Sequence, residues 1–265
     1  MDEYFLFDFR SLSHSQRDSY LTTFNRLHYY QALNDFRYDE VFTNKYATYQ
    51  HYKQYFKREM VLLTKERTNI REFEDFVEKN PVFVYKPLAE SSGRGIAFYD
   101  LGKFPSASAL YQELTGSAGI VESLIVQDEP LARFNRSSVN TIRIPHVITR
   151  DGDTVIFAPR LRVGQDGSIV DNTGSGGILA NIDPETGIVY TDGTDTFGKR
   201  YRSHPSTNVI FRGFQVPRWE EAVSLVKEMA QVLPTVRYVG WDLALTPEGW
   251  VLVEANKKAR SRVCK

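Results

Sequence analysis

The chain opens in a helical rhythm and passes, after residue 81, into strands. Residues 11–33 read as a helix, with Ser13 and Gln16 at capping-box spacing. A second helix is predicted after Thr43, where Tyr46, Tyr49, Lys53 and Phe56 fall three or four apart; its aromatics should pack onto the body of the protein, a dimer face being the lesser alternative. A shorter helix is expected over 71–79, with Asn69 and Glu72 as its cap pair. The apolar run Val82–Pro87 is a strand that stops at its proline. A loop over 89–95, a strand from 96, a helix over 106–115 and an apolar strand over 119–126, interrupted by Glu122, follow. Beyond Asn140 the pattern is strand, turn, strand: 139–147, 154–163, 177–182 and 188–190 alternate with turn signals at Asp151-Gly152, Asp166-Gly167 and 184–187. One strong helix, 219–233, lies between Pro217 and Pro234 and should cover one face of an antiparallel sheet. The expected organisation is a helical segment over 1–60, a small lobe over 61–126 and a large lobe over 127–265.

The most informative stretch is 239–256, two strands around a tight turn. Pro247 and Gly249 suit a type I turn followed by a left-handed residue, a three-residue hairpin loop with a glycine bulge. Thr246 then pairs with Trp250, which brings Asp242 opposite Glu254 with Asn256 on the same face. Trp241, Leu243 and Leu245 would meet Ala255, Val253 and Val251 on the core face. Two facing carboxylates repel, so either a cation joins them or they are ordinary charges of a solvated face. With oxygen donors and no His or Cys nearby, the cation would be hard, Mg2+ first and Mn2+ next, and Mg2+ is commonly completed by nucleotide phosphates.

Composition narrows the setting. Of 265 residues 33 are basic and 33 acidic, so nothing advertises nucleic acid or an anionic membrane. No apolar run approaches a membrane span, and the single cysteine, Cys264, excludes a disulfide framework; a cytoplasmic protein is expected.

Other residues suggest chemistry. Ser91, Ser92, Gly93, Arg94 and Gly95, after Lys86-Pro87, have the makings of a phosphate cradle, or of a plain hairpin tip. Lys86 ends its strand where it could reach a phosphate; its other reading is an exposed lysine. Thr141 and Arg143 share one strand face and Arg160 and Arg162 another, set either to pair with carboxylates or to hold an anion. The 171–177 segment is a closing loop or a flexible turn, and His204 a general base or an ordinary loop histidine.

Taken in order, Lys45, Lys86, the glycine loop, Glu122, Arg143, Asp242, Glu254 and Asn256 resemble the ATP-grasp superfamily. The runs 138–143, 161–164, 170–172, 176–177 and 240–242 look like its sugar-transfer-associated branch. The resemblance implies an α+β fold in which two lobes with antiparallel sheets clasp ATP, here preceded by a short helical segment. It implies that Lys45 and Lys86 contact the phosphates, that 91–95 folds over them, and that Glu122, Ser123 and Leu124 belong to a hinge against adenine. Gln127 or Glu129 would lie near the ribose, Arg143 would stabilise the transferring phosphoryl group, and Asp242, Glu254 and Asn256 would hold Mg2+. Asn140, Arg160, Arg162, Asp171, Asn172, Gly176 and Gly177 become substrate candidates. The implied reaction joins a small-molecule or glycan carboxylate to an amine through an acyl phosphate, in surface-polysaccharide assembly. A kinase on the same scaffold and a nucleotide-binding module without turnover remain alternatives. Complete ligases of this superfamily carry an amino-terminal lobe of alternating strands and helices, from which the short helical start departs. The basic run after Asn256 reads as a frayed tail.

Overall fold

The computed structural model describes residues 9–18, 23–64, 70–88, 95–165 and 176–257. The chain divides into two compact units, residues 40–126 and residues 1–39 with 127–265. Residues 40–60 thus group with the smaller unit.

The smaller unit is built on β1 (Met60–Leu63), β2 (Val82–Pro87), β3 (Ala97–Asp100) and β4 (Gly119–Ser123), antiparallel in the order β1-β4-β2-β3. Period-two alternation sends Val61, Leu63, Phe83, Tyr85 and Val121 to one side, against helices Ile70–Lys79 and Ala107–Leu114. Ile70–Lys79 answers with Phe73, Phe76 and Val77, three and four apart, all buried. Phe73 and Phe83 meet edge to face with no exposure, each withdrawal from water contributing roughly 2–3 kcal/mol. Ser106 caps the second helix through Ala109 N at 3.1 Å. Asn44 caps helix Lys45–Phe56, accepting from Tyr46 N and Ala47 N. The same alternation leaves Met60, Val84, Lys86, Ile120 and Glu122 on the opposite side of the sheet, with Glu122 directly across from Met60 on β1 and Val84 on β2.

The larger unit carries β5 (Thr141–Ile148), β6 (Thr154–Ile156), β7 (Arg160–Val163), β8 (Ile178–Asn181), β9 (Gly193–Thr194), β10 (Arg200–Tyr201), β11 (Tyr238–Thr246) and β12 (Gly249–Asn256). Their order is β10-β9-β8-β7-β5-β11-β12, with β6 beside β5. Ile142, Ile144, Trp241, Leu243, Leu245, Trp250 and Leu252 form the apolar face, under helix Trp219–Val232 with its buried Ala222, Val226 and Met229. The indole of Trp250 donates to Arg218 O at the start of that helix, at 2.9 Å.

Four sequence expectations are revised. The stretch 154–163 is two strands, because Ala158 takes a left-handed φ of 44° and Pro159 has no N–H; the break lies opposite Ile144 and Pro145. Residues 188–190 make only isolated bridges, Ile182 with Val189 and Ile188 with Gln215. The helix expected over 11–33 begins at His14: His14–Asp18 and Thr23–Leu33 are helical, residues 19–22 lie outside the described residues, and the Ser13–Gln16 box is formed at 2.8 and 3.3 Å. The turn after β11 holds two residues rather than three: Thr246 pairs with Gly249, Leu245 with Trp250 and Leu243 with Leu252. A bulge at Asp242/Leu243 absorbs Val253, after which Asp242 pairs with Glu254. Trp250 and Leu252 therefore occupy the core face that alternation from a three-residue loop gives to Val251 and Val253. Asn69, the expected cap of the third helix, lies outside the described residues.

The amino-terminal segment braces the hairpin. Asn34 imitates a strand neighbour, donating to Tyr238 O at 2.8 Å and accepting from Tyr238 N at 2.7 Å. Asp39 accepts from Tyr30 OH at 2.6 Å and pairs with Lys257, the residue after Asn256. Lys257 is buried by this grip, so the chain is not frayed at that point.

Candidate functional site

On the larger sheet the polar residues fall into a row because the registers align them. Arg160 pairs with Arg143, Arg143 with Asp242, and Asp242 with Glu254, so four neighbouring strands each place one charge on the same face. Asp242 is 2% exposed and is the row's anchor. Arg143 meets it with both prongs, Nε to Oδ1 and Nη2 to Oδ2, each 2.6 Å. Arg162, from the next turn of the pleat, donates through Nη1 to Oδ2 at 2.5 Å, and Asn256 Nδ2 approaches the same oxygen at 3.3 Å. Burial works to raise the Asp242 carboxyl, but the charges of Arg143 and Arg162 outweigh it and hold it below the ordinary carboxylate range. Glu254 is exposed, and no cation among the described residues is paired with it.

The donor chemistry is oxygen throughout: two carboxylates and the Asn256 amide. Among the described residues no group of three His, Cys, Asp or Glu is gathered that could hold a metal. Glu254 and the Asn256 amide oxygen suit a hard divalent ion. Asp242 already accepts four hydrogen bonds, three of them on Oδ2, so its share in such a site would fall to Oδ1, which among the described residues takes only Arg143 Nε.

Lys86 and Glu122 lie on one face of the smaller sheet. Glu122 is 3% exposed and holds two cations, Lys86 Nζ on Oε1 and Arg58 on Oε2, with Nε at 3.1 Å and Nη2 at 2.9 Å. Burial would raise the Glu122 carboxyl; Arg58 first and Lys86 second keep it below its usual value. Arg58 is the residue that sequence reasoning missed. Its one signal was position: two residues ahead of Met60, it continues the strand face on which Glu122 lies. Lys45 Nζ donates to Pro87 O at 3.2 Å, at the end of β2 where the glycine loop begins. Ser91, Ser92, Gly93 and Arg94 lie outside the described residues, and Gly95 has a left-handed φ of 71°. Ser123 N is spent on Glu59 O at 3.1 Å, while Leu124 is exposed.

The remaining sequence candidates take structural positions. Gln127 donates to Ser138 O at 2.5 Å and accepts from Asn140 N at 2.7 Å. Asn140, without exposure, also serves Leu131 O and Asn135 O. Glu129, itself exposed, opens the helical turn Glu129–Ala132, whose Leu131 and Ala132 are buried, and pairs with Arg136. Gly176 accepts from Gln165 Nε2 at 2.6 Å, and Gly177 is buried beside it; Asp171 and Asn172 lie outside the described residues. Arg160 is buried at the far end of the charged row. His204 is buried too, its ring nitrogens bonded to Gly164 O at 2.9 Å and Thr207 Oγ1 at 3.2 Å.

With this geometry in hand, known proteins add context. A family model described as sugar-transfer-associated ATP-grasp matches residues 24–264. No curated protein matches the sequence. Among solved structures, N5-carboxyaminoimidazole synthetase from Staphylococcus aureus, complexed with ADP, aligns at TM-score 0.54 and 8% identity over 87% of this chain and 48% of that one. Carboxyaminoimidazole ribonucleotide synthase from Aspergillus clavatus, complexed with ATP, aligns at 0.50 and 11%, over 89% and 50%. D-alanyl-alanine synthetase A from Vibrio cholerae aligns at 0.48 and 13%, over 84% and 57%. The chain thus spans about half the length of the solved structures it matches, and the likeness is one of fold.

Proposed function

This chain belongs to the sugar-transfer-associated ATP-grasp family, and from that premise we propose that it is an ATP- and Mg2+-dependent carboxylate–amine ligase. Its fold is that of the ATP-grasp enzymes, α+β with an antiparallel sheet in each of two units. The observation that carries the reading is the row Arg160, Arg143, Asp242, Glu254, which puts cations and carboxylates on one sheet face as phosphoryl transfer needs.

Glu254, Asn256 and Asp242 would hold the ion; bound there, Mg2+ would neutralise phosphate charge and orient the triphosphate. Arg143, through its planar fork, would steady the γ-phosphoryl group as a substrate carboxylate attacks it in line and ADP leaves. An incoming amine would then attack the acyl carbon of the resulting acyl phosphate, releasing inorganic phosphate and a proton and forming the amide. Lys86 and Lys45 would take the nucleotide phosphates, and the 91–95 loop would close over them. Adenine would meet the chain at Ser123–Leu124, where the strand runs out into exposed residues. Arg162, Gly176 and Gly177 would line the approach of the acid. The acid and amine are small molecules or glycans, and the setting we favour is cytoplasmic assembly of bacterial surface polysaccharide. No helix among the described residues is long and apolar enough to cross a membrane.

A screen of amino acids and uronic acids for ADP release tests the reaction, with hydroxylamine added to trap the intermediate. Hydroxamate with ADP is the expected result. ADP without hydroxamate would instead assign a kinase acting on a hydroxyl, and binding of Mg·ATP with no ADP under any acid would leave a nucleotide-binding module.

A further inference from the structure

Glu122 presents an imbalance of charge. It is one carboxylate in the middle of a sheet, bonded on both flanks, and two cations converge on it. Arg58 covers Oε2 with a two-pronged contact, and its side chain is only 5% exposed; Lys86 takes Oε1 from the more open side at 16%. A single lysine facing a buried carboxylate would form a closed neutral pair, with nothing left over for a third group. Counted over the described residues, Arg58 gives the cluster one surplus positive charge. The surplus resides on the more accessible partner, since an ammonium has three donors and Lys86 spends one on Glu122. The guanidinium is the natural fixed counter-ion, because it stays protonated and its fork matches a carboxylate edge.

We propose that Arg58 is a positioning residue that neutralises Glu122, so that Lys86 is aimed by the carboxylate without being consumed by it and keeps its charge for an anionic ligand. This rests on the reading of Lys86 as a contact to nucleotide phosphate. Glu122 then acts on the nucleotide through Lys86, and specificity for a polyphosphate depends on a residue that never touches it. Without Arg58, Glu122 would hold Lys86 as its sole counter-ion and the same lysine would be a poor phosphate ligand.

The test is a charge-removal cycle on the full chain. ADP affinity is measured by calorimetry for wild type, Arg58→Gln, Arg58→Lys and the double variant Arg58→Gln/Glu122→Gln, each checked for folding by its melting transition. Arg58→Gln should weaken ADP at least tenfold, Arg58→Lys should recover most of the loss, and the double variant should bind more tightly than Arg58→Gln because Lys86 regains its surplus. A merely structural Arg58 predicts the opposite ranking, with the double variant no better than the single one. Acetylation of Lys86 at fixed pH, followed by mass spectrometry, reads the same balance without nucleotide: slower in Arg58→Gln than in wild type, and faster again in the double variant. Equal labelling in all of these overturns the inference. Wild type that labels in this order yet fails to bind ADP overturns the nucleotide reading and leaves the charge balance standing.

Discussion

Arg143 and Asp242 are cross-strand partners on β5 and β11, and the guanidinium closes on the carboxylate with two bonds of 2.6 Å each. Because Asp242 is buried, this pair is both a structural tie and a store of oriented charge. Stripping one partner from a buried ion pair costs roughly 3–5 kcal/mol, and here Arg162 remains to serve Asp242. Arg143→Ala should therefore destabilise the protein by about 2–3 kcal/mol in urea unfolding. It should also abolish ADP release. A stable variant that loses only activity would separate the two roles.

Glu254 offers the contrasting case. It sits across from Asp242 yet is exposed, and no ion pair among the described residues ties it down. Glu254→Gln should leave the melting temperature within a degree or two, since exposed substitutions away from such ties rarely exceed about 0.5 kcal/mol. Turnover should nevertheless fall by orders of magnitude. Activity within a few-fold of wild type would remove Glu254 from the mechanism.

His146 predicts an acid limb of stability. The indole N–H of Trp241 donates to its Nδ1 at 2.8 Å, so the neutral ring carries its proton on Nε2. Burial pushes the imidazole from 6.5 down to about 4, against a weaker backbone hydrogen bond at Val239. Between those two values the unfolded chain binds a proton that the folded chain refuses, so stability is full above about pH 6.5 and falls toward pH 4. The loss is on the order of 3 kcal/mol. Denaturant midpoints across that window should drop in wild type and stay much flatter in His146→Gln. Below it, Asp242 and Glu122, whose carboxyls are held low, extend the decline.

Asn34 joins the amino-terminal segment to the first residue of β11 through two buried bonds to Tyr238. Asn34→Ala removes both of these buried bonds to the Tyr238 peptide, at about 1–3 kcal/mol each with partial relief from water. A loss of roughly 3 kcal/mol in equilibrium unfolding is expected. An unchanged midpoint would mean that Tyr238 finds other partners.

Much of the site face was legible because strand alternation is a strict rule. The pairing of Asp242 with Glu254 follows from it, and so does the shared face of Arg160 and Arg162. The route was partly misread. A turn two residues long and an extra residue in β12 offset one another, so the acidic pair is as expected while Trp250 and Leu252 change sides. Alternation fails at a bulge, and Pro247-Glu248-Gly249 is compatible with either loop length. Gly249 itself adopts φ 124°, and a Cβ there would come within 2.7 Å of Glu221 Oε1, a contact the sequence does not display. The break at Ala158-Pro159 was visible only as a proline in an otherwise strand-like run. Arg58 was missed for a different reason: its partner is 64 residues away, and apart from its place two residues ahead of Met60 nothing local distinguishes a buried arginine from one in water.

The bulge has a genetic corollary. Val253 is the residue the bulge absorbs, so deleting it alone would make Leu252 and Glu254 consecutive in register, with Leu252 still against Leu243 and Glu254 still against Asp242. Inserting a residue after Val253 would instead set the newcomer against Asp242 and carry Glu254 to Trp241, into the tryptophan layer. Single deletions at the bulge should therefore be tolerated where single insertions are not.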